Sequence, residues 1–143
     1  MIRWPTIRSA STGEERHQIR PELRRRGKEL RNEIRSVYKT LKAEQKITAR
    51  GTDISDSVRK YIPPGSSFDD TEEILRAAGF DVSSRPLSDT MSNAPDRYSV
   101  GADLKLGGSF GIKIQAIVVL TPKGLGDYSE VRAVSAGIFL SAL

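Results

Sequence analysis

The stretch Ser67–Phe80, with the sequence SFDDTEEILRAAGF, decides how the second half of this 143-residue chain is organised. Ser67 is a residue type that caps helix N-termini, and the acidic residues that follow it match the positive end of a helix dipole. Ile74 and Leu75 supply an apolar inward face. Gly79 and Phe80 provide the glycine and the following apolar residue of a Schellman ending. The stretch therefore predicts a helix over residues 67–79.

Three segments downstream of this helix alternate apolar with polar or small side chains, as half-buried strands do. They cover residues 98–104, 112–120 and 134–140. The connectors at 107–111 and 122–127 are too short to hold a crossover helix, so the strands should be antiparallel. We expect a three-stranded antiparallel meander that buries one face under the 67–79 helix.

Upstream, Ile54, Val58, Tyr61 and Ile62 fall at helical spacing and predict a short helix, which stops at the sequence Pro63-Pro64-Gly65. The fold class expected from these elements is α+β. A long N-terminal helix comes first, and the short helices pack on the three-stranded antiparallel meander.

Residues 21–45 are mostly strong helix formers, and Pro21 suits the first helical position. Gly27 completes the spacing of a narrow apolar stripe on this predicted helix. Such a stripe must be covered by the C-terminal unit, by a second copy or by another chain. It is therefore a candidate interaction surface, and its members are Leu23, Leu30, Ile34, Val37 and Leu41.

Charge divides the chain near its middle. The whole sequence carries a net charge of +5, but residues 1–50 carry +8 and residues 51–143 carry −3. A change of sign in so short a chain indicates two parts with different roles. We expect a basic, mostly helical arm at 1–50 and a compact α+β domain at 51–143.

The cations of the 21–45 helix allow two interpretations. Four of them lie at positions i, i+4, i+7 and i+11 and form one line, here called the basic stripe: Arg24, Lys28, Arg31 and Arg35. The line is either a solvated, salt-bridged helix face or a contact for a polyanion such as nucleic acid or an anionic membrane. Glutamates dilute the positive field, and no aromatic residues are interleaved for base stacking. The candidate polyanion contacts are Arg24, Arg25, Arg26, Lys28, Arg31 and Arg35.

Residues with catalytic potential are sparse. The sequence has no cysteine and one histidine, His17, which argues against thiol chemistry, zinc sites and a rigid triad. The acidic cluster Asp69, Asp70, Glu72 and Glu73 is expected to complement the helix dipole. The loop Ser83–Arg97 is the one segment long enough to act as a lid, although a flexible spacer is the simpler interpretation. We therefore predict no enzymatic activity, no catalytic residues, no cofactor and no metal.

The compartment is not fixed by the sequence. No stretch approaches the roughly 20 apolar residues that cross a bilayer, and the first residues lack the apolar core of a secretory signal. The sequence as it stands predicts a cytoplasmic protein. A signal encoded upstream would make it a periplasmic or envelope protein.

The order of elements over residues 54–140 resembles a known family. A short helix, the turn at Ile62-Pro63-Pro64-Gly65, the capped helix with Leu75 and Gly79, and a three-strand meander are similar to the small α-α-β-β-β modules of envelope lipoproteins, the SmpA/OmlA-like group. This chain lacks the lipid-accepting cysteine of that family. The resemblance implies a non-catalytic scaffold or binding module and assigns no functional residues.

Two functions follow from the sequence as hypotheses. The first is a non-catalytic interaction or scaffold module that meets a protein partner, or a second copy of itself, through the apolar stripe. The second is weak contact with nucleic acid or another polyanion, without sequence preference, through the basic helix.

Overall fold

The computed structural model describes residues 20–86, 98–124 and 126–142. It confirms the predicted α+β class, with an N-terminal helix and an antiparallel sheet. The elements are α1 (Pro21–Ala43), β1 (Thr52–Asp53), α2 (Ser55–Arg59), α3 (Phe68–Ala77), β2 (Asp81–Val82), β3 (Val100–Gly107), β4 (Ile112–Gly124) and β5 (Asp127–Ala142).

The sheet has five strands in the order β1-β5-β4-β3-β2, and every neighbouring pair is antiparallel. The predicted number of three strands is therefore wrong. The two additional strands, β1 and β2, lie one at each edge and contain two residues each. A segment of two residues is too short to show the alternation from which a strand is predicted.

Helix α3 begins and ends as its sequence predicts. The hydroxyl of Ser67 accepts a hydrogen bond from the backbone N–H of Asp70 (3.3 Å), which is the N-cap bond. At the other end Gly79 has a φ of +99°, which glycine adopts without strain. The N–H of Phe80 donates to the carbonyl of Leu75 and that of Gly79 to the carbonyl of Arg76, both at 3.0 Å. These two bonds define a Schellman ending.

We expect the Ser67→Ala variant to lose about 1 kcal/mol of unfolding free energy, the usual cost of deleting an N-cap acceptor. Ser67 is exposed, so the variant leaves no cavity. Urea denaturation followed by circular dichroism measures the change, with Ser67→Asp as the control because it keeps an acceptor. Equal stability of the alanine variant and the wild type would contradict the role of the cap.

The helices and one face of the sheet share a single hydrophobic cluster. Strand β4 contributes its alternate residues Ala116, Val118 and Leu120, which are fully buried. Helix α3 contributes Ile74 and Leu75, the residues predicted to face inward. The outward positions of β4, such as residues 117 and 119, are half-buried and do not belong to the cluster. In the described part of the chain, the sheet is therefore packed on one face.

Helix α1 is part of this core. Leu30 and Ile34 have no exposed surface, and Leu23, Val37 and Leu41 are half-buried against the cluster. Of the three covers that the sequence left open for this stripe, the structure shows the first: the rest of the chain packs against it. The core also crosses the predicted boundary between residues 50 and 51, because both parts supply buried side chains to it.

Gly27 sets the distance between α1 and α3. It is buried, and a β-carbon added to it would lie 2.6 Å from Cβ of Ala77 and 2.7 Å from the carbonyl oxygen of Ile74. Non-bonded atoms do not approach so closely, so a neighbour would have to move. The Ile74 carbonyl oxygen belongs to the backbone of α3 and cannot move without the helix. The two helices therefore touch at this glycine, which explains its place in the middle of the apolar stripe.

The outer edge of β5 is covered by residues 48–67. The N–H of Leu140 donates to the carbonyl of Thr48 (3.1 Å), and the N–H of Ala136 donates to the hydroxyl of Ser55 (2.9 Å). Together with β1, these bonds occupy backbone groups that an open edge would offer to another chain. The buried Ser55 hydroxyl is satisfied by the same arrangement.

Candidate functional site

The acidic residues at the start of α3 are neutralised by two arginines. Arg20, which precedes α1, donates to Asp70 and also to Glu73, where Nη1 lies 3.3 Å from Oε2. The hydrogen bond to Asp70, opposed by partial burial, raises the pKa of the Arg20 guanidinium above its usual value. This contact fixes the beginning of α1 against α3.

Arg85 holds the other two carboxylates. Its Nε and Nη2 atoms lie 3.2 and 2.8 Å from the two oxygens of Glu72, and Nη2 also lies 2.6 Å from Asp69. The guanidinium stands 5.0 Å from the ring centroid of Phe68 and 5.2 Å from that of Tyr128. The hydrogen bond to Glu72 is the main reason why the pKa of Arg85 is raised. Arg85 therefore anchors the segment after β2 to α3.

These pairings refine the dipole interpretation of the acidic cluster. The carboxylates do lie in the first turns of α3, but each is also bound by an arginine distant in sequence. Within the described ranges, no group of three His, Cys, Asp or Glu side chains is placed to hold a metal ion. His17 and most of the Ser83–Arg97 loop, including Asp89, Asp96 and Arg97, lie outside the described residues.

We expect Glu72→Gln to lower the free energy of unfolding by about 1–2 kcal/mol, because a nearly buried carboxylate loses its two charge-assisted hydrogen bonds. The Glu72 side chain is 9% exposed, whereas that of Asp69 is 60% exposed. Asp69→Asn is the matched control and should cost less than about 0.5 kcal/mol, since solvent screens an exposed ion pair. Chemical denaturation measures both variants, and equal losses would contradict the anchoring role of Glu72.

A cationic groove lies between α1 and α3, beside the point where Gly27 meets Ala77. Its volume is about 460 Å³. We call it the α1/α3 groove. Four cations and one carboxylate line it together with Ala77: Arg20, Arg24 and Lys28 on the α1 side, and Glu73 and Arg76 on α3. Lys28 and Arg76 form no ion pair with another described residue, so their charges remain available to an anion.

The predicted cations separate into two sets around α1. Arg25 and Arg26 lie on the side of Glu22 and pair with it at 4.0 and 3.6 Å. Arg24 and Lys28 line the groove. The basic stripe continues from there to Arg31, which is exposed, and Arg35, which is half-buried. The six candidate contacts therefore do not form one site.

Two cations of the groove, Arg20 and Arg76, were not predicted from the sequence. Arg76 is far from Lys28 in sequence, and its position in the last turn of α3 is explained by the helix dipole alone. The only signal that could have joined them is Gly27. A glycine in an apolar stripe indicates close approach of another element, and that element is the helix with Arg76.

The outward face of the sheet is a second surface without an assigned role. Ile117, Val119 and Phe139 border a depression of about 310 Å³ on this face. Arg50 and Asp53 are the charged residues of its lining, and the other lining residues are uncharged. No helix in the described residues is long and apolar enough to cross a membrane.

Comparison with known protein families, with curated proteins and with solved structures gives no match.

Proposed function

We propose that this chain is a non-catalytic binding module that contacts a phosphate-bearing polyanion, namely nucleic acid, through the α1/α3 groove and the basic stripe. The observation that carries the proposal is the groove itself, where four cations and one carboxylate line a concave surface. Phosphate groups are bound by such clusters of arginine and lysine side chains.

The arrangement supports contact with the backbone rather than with bases. The cations come from two packed helices and from Arg20, the residue before α1, and Lys28 and Arg76 lack an ion-pair partner among the described residues. Contacts to phosphates position a protein on nucleic acid but do not select a sequence. Binding without sequence preference is therefore the expected mode.

The first hypothesis drawn from the sequence, contact with a protein through the apolar stripe, has lost the observation that motivated it. Leu30 and Ile34 are covered by the chain's own core. The non-catalytic part of that hypothesis is retained here. Arginines occupy the acidic cluster that acid-base chemistry would require, and the SmpA/OmlA-like resemblance implies a binding module as well.

We expect wild-type protein to bind a fluorescein-labelled duplex weakly and with a strong dependence on salt. If three of the four lining cations contact phosphates, the slope of log K against log salt is roughly −3. The affinity should then fall roughly 40-fold between about 50 and about 200 mM NaCl. Fluorescence anisotropy measures the titration, and a duplex of scrambled sequence is the control. Absence of binding at the lower salt concentration would overturn the proposal, and so would affinity that salt leaves unchanged.

A further inference from the structure

The β3–β4 hairpin presents an aromatic side chain that lies outside the hydrophobic core of the described residues. Phe110 is 103% exposed, and its neighbour Ile112 is 42% exposed. Phe110 has a φ of +50°, a left-handed conformation that is unfavourable for a bulky residue, and it stands between Gly108 and Gly111. Structures retain such strained, exposed positions where the surroundings or a function require them.

The basic stripe leads along α1 to this hairpin. Tyr38 and Lys42 continue the line of Arg24 and Arg35 at the same helical spacing, so the extended stripe is roughly 27 Å long. The Lys42 ammonium lies 5.9 Å from the ring centroid of Tyr38. The Tyr38 hydroxyl lies against Gly107, where a β-carbon would be only 2.5 Å from it. Helix α1 therefore contacts the base of the hairpin that carries Phe110.

We propose that the basic stripe and the hairpin together bind single-stranded nucleic acid, with the backbone along α1 and a base stacked on Phe110. This inference rests on the proposed function and names its substrate class. Proteins that bind single strands combine a cationic track for the backbone with aromatic side chains for the bases. A duplex keeps its bases stacked on one another and offers none to Phe110.

The arrangement of the charges favours a nucleic-acid strand over a lipid surface. The cations form a line along one helix, which suits a linear polyanion. An inserted hairpin needs a larger apolar tip to hold a bilayer, because one phenylalanine and one half-exposed isoleucine bury little surface there. A lipid surface is therefore an outcome of the test and not part of the proposal.

The test compares four proteins: the wild type, Phe110→Gly, Phe110→Trp and Ile112→Ala. Each is titrated into a labelled single strand of about 20 nucleotides, into the matching duplex, and into vesicles of phosphatidylserine and phosphatidylcholine. We expect Phe110→Gly to bind the single strand roughly 5- to 150-fold more weakly, the effect of losing one stacked base. Its affinity for the duplex should not change.

Thermal melting separates this role from a structural one. Glycine accepts the left-handed conformation without strain, so Phe110→Gly should melt at the wild-type temperature or slightly above it while its binding falls. Phe110→Trp should retain the single-strand affinity because it restores an aromatic face. Ile112→Ala should also retain it, since the isoleucine offers no ring.

The outcomes distinguish this inference from the proposed function. If the wild type binds single strand and duplex equally and Phe110→Gly alters neither, the inference is wrong and the proposed function stands. If no nucleic acid binds at low salt, both are wrong. If only vesicles bind, and both Phe110→Gly and Ile112→Ala weaken that binding, the hairpin is a lipid contact and the inference is overturned.

Discussion

Replacing Gly27 with leucine should destabilise this protein by about 3 kcal/mol or more, since the side chain would separate α1 from α3 and expose part of the core. Replacement with alanine is the subtler test. In an exposed helix, the change from glycine to alanine stabilises by about 1 kcal/mol. At Gly27 the added carbon would lie 2.6 Å from Ala77 and 2.7 Å from the backbone of Ile74. We therefore expect a net loss of about 1–2 kcal/mol.

The matched control for Gly27 is Gly101→Ala. A β-carbon at Gly101 would meet nothing within 4 Å, so this variant should be neutral or slightly more stable. Urea denaturation followed by circular dichroism at 222 nm reports both the global stability and the helix content. A Gly27→Ala variant that is more stable than the wild type would show that α1 does not pack closely on α3.

The elements that the sequence predicted correctly are those whose signals are local. Helix α3 has its cap at Ser67 and its ending at Gly79, and both are decided by residues within one turn of the helix end. The class of fold followed from similar local patterns. These patterns state what each segment forms, but they do not state which segment lies against which.

The sequence could not show which element covers the apolar stripe. Leu30 and Ile34 have the same spacing whether they face a second copy or the chain's own core. The distinction depends on contacts between residues some 50 positions apart, such as Gly27 with Ala77. Charge asymmetry predicted two parts with different roles, but an ion pair between the two parts gives the same asymmetry. Arg20 of the basic part holds Asp70 of the acidic part.

The candidate site was likewise only partly predictable from the sequence. The basic stripe was visible in the sequence because its four cations lie on one helix. The groove was not visible, because Arg76 comes from another helix and Arg20 from the residue before α1. Phe110 lies in a glycine-rich turn, where one aromatic residue has no periodic pattern to mark it. Its exposure and its relation to α1 emerge only from the pairing of the strands.

Reversing two charges in the α1/α3 groove should strongly weaken binding to nucleic acid. In the Lys28→Glu, Arg76→Glu double variant the four lining cations fall to two, while three carboxylates replace one. Two phosphate contacts become repulsions, so we expect affinity at about 50 mM NaCl to fall by roughly 100-fold or more. The slope of log K against log salt should become shallower by roughly 2.

The control for charge reversal is the Lys46→Glu, Lys123→Glu double variant, which changes the net charge equally at two exposed positions outside the groove. Lys46 follows the far end of α1, roughly 27 Å along the helix from Lys28. The control variant should weaken binding by less than about 10-fold, because exposed charges separated by more than a Debye length are largely screened. Circular dichroism of each variant checks that the fold is retained. The check is needed because Arg76→Glu places an acid at the C-terminal end of α3, which costs about 0.3–1 kcal/mol of stability. Equal losses in the two double variants would mean that binding follows net charge. The groove would then have no specific part in it.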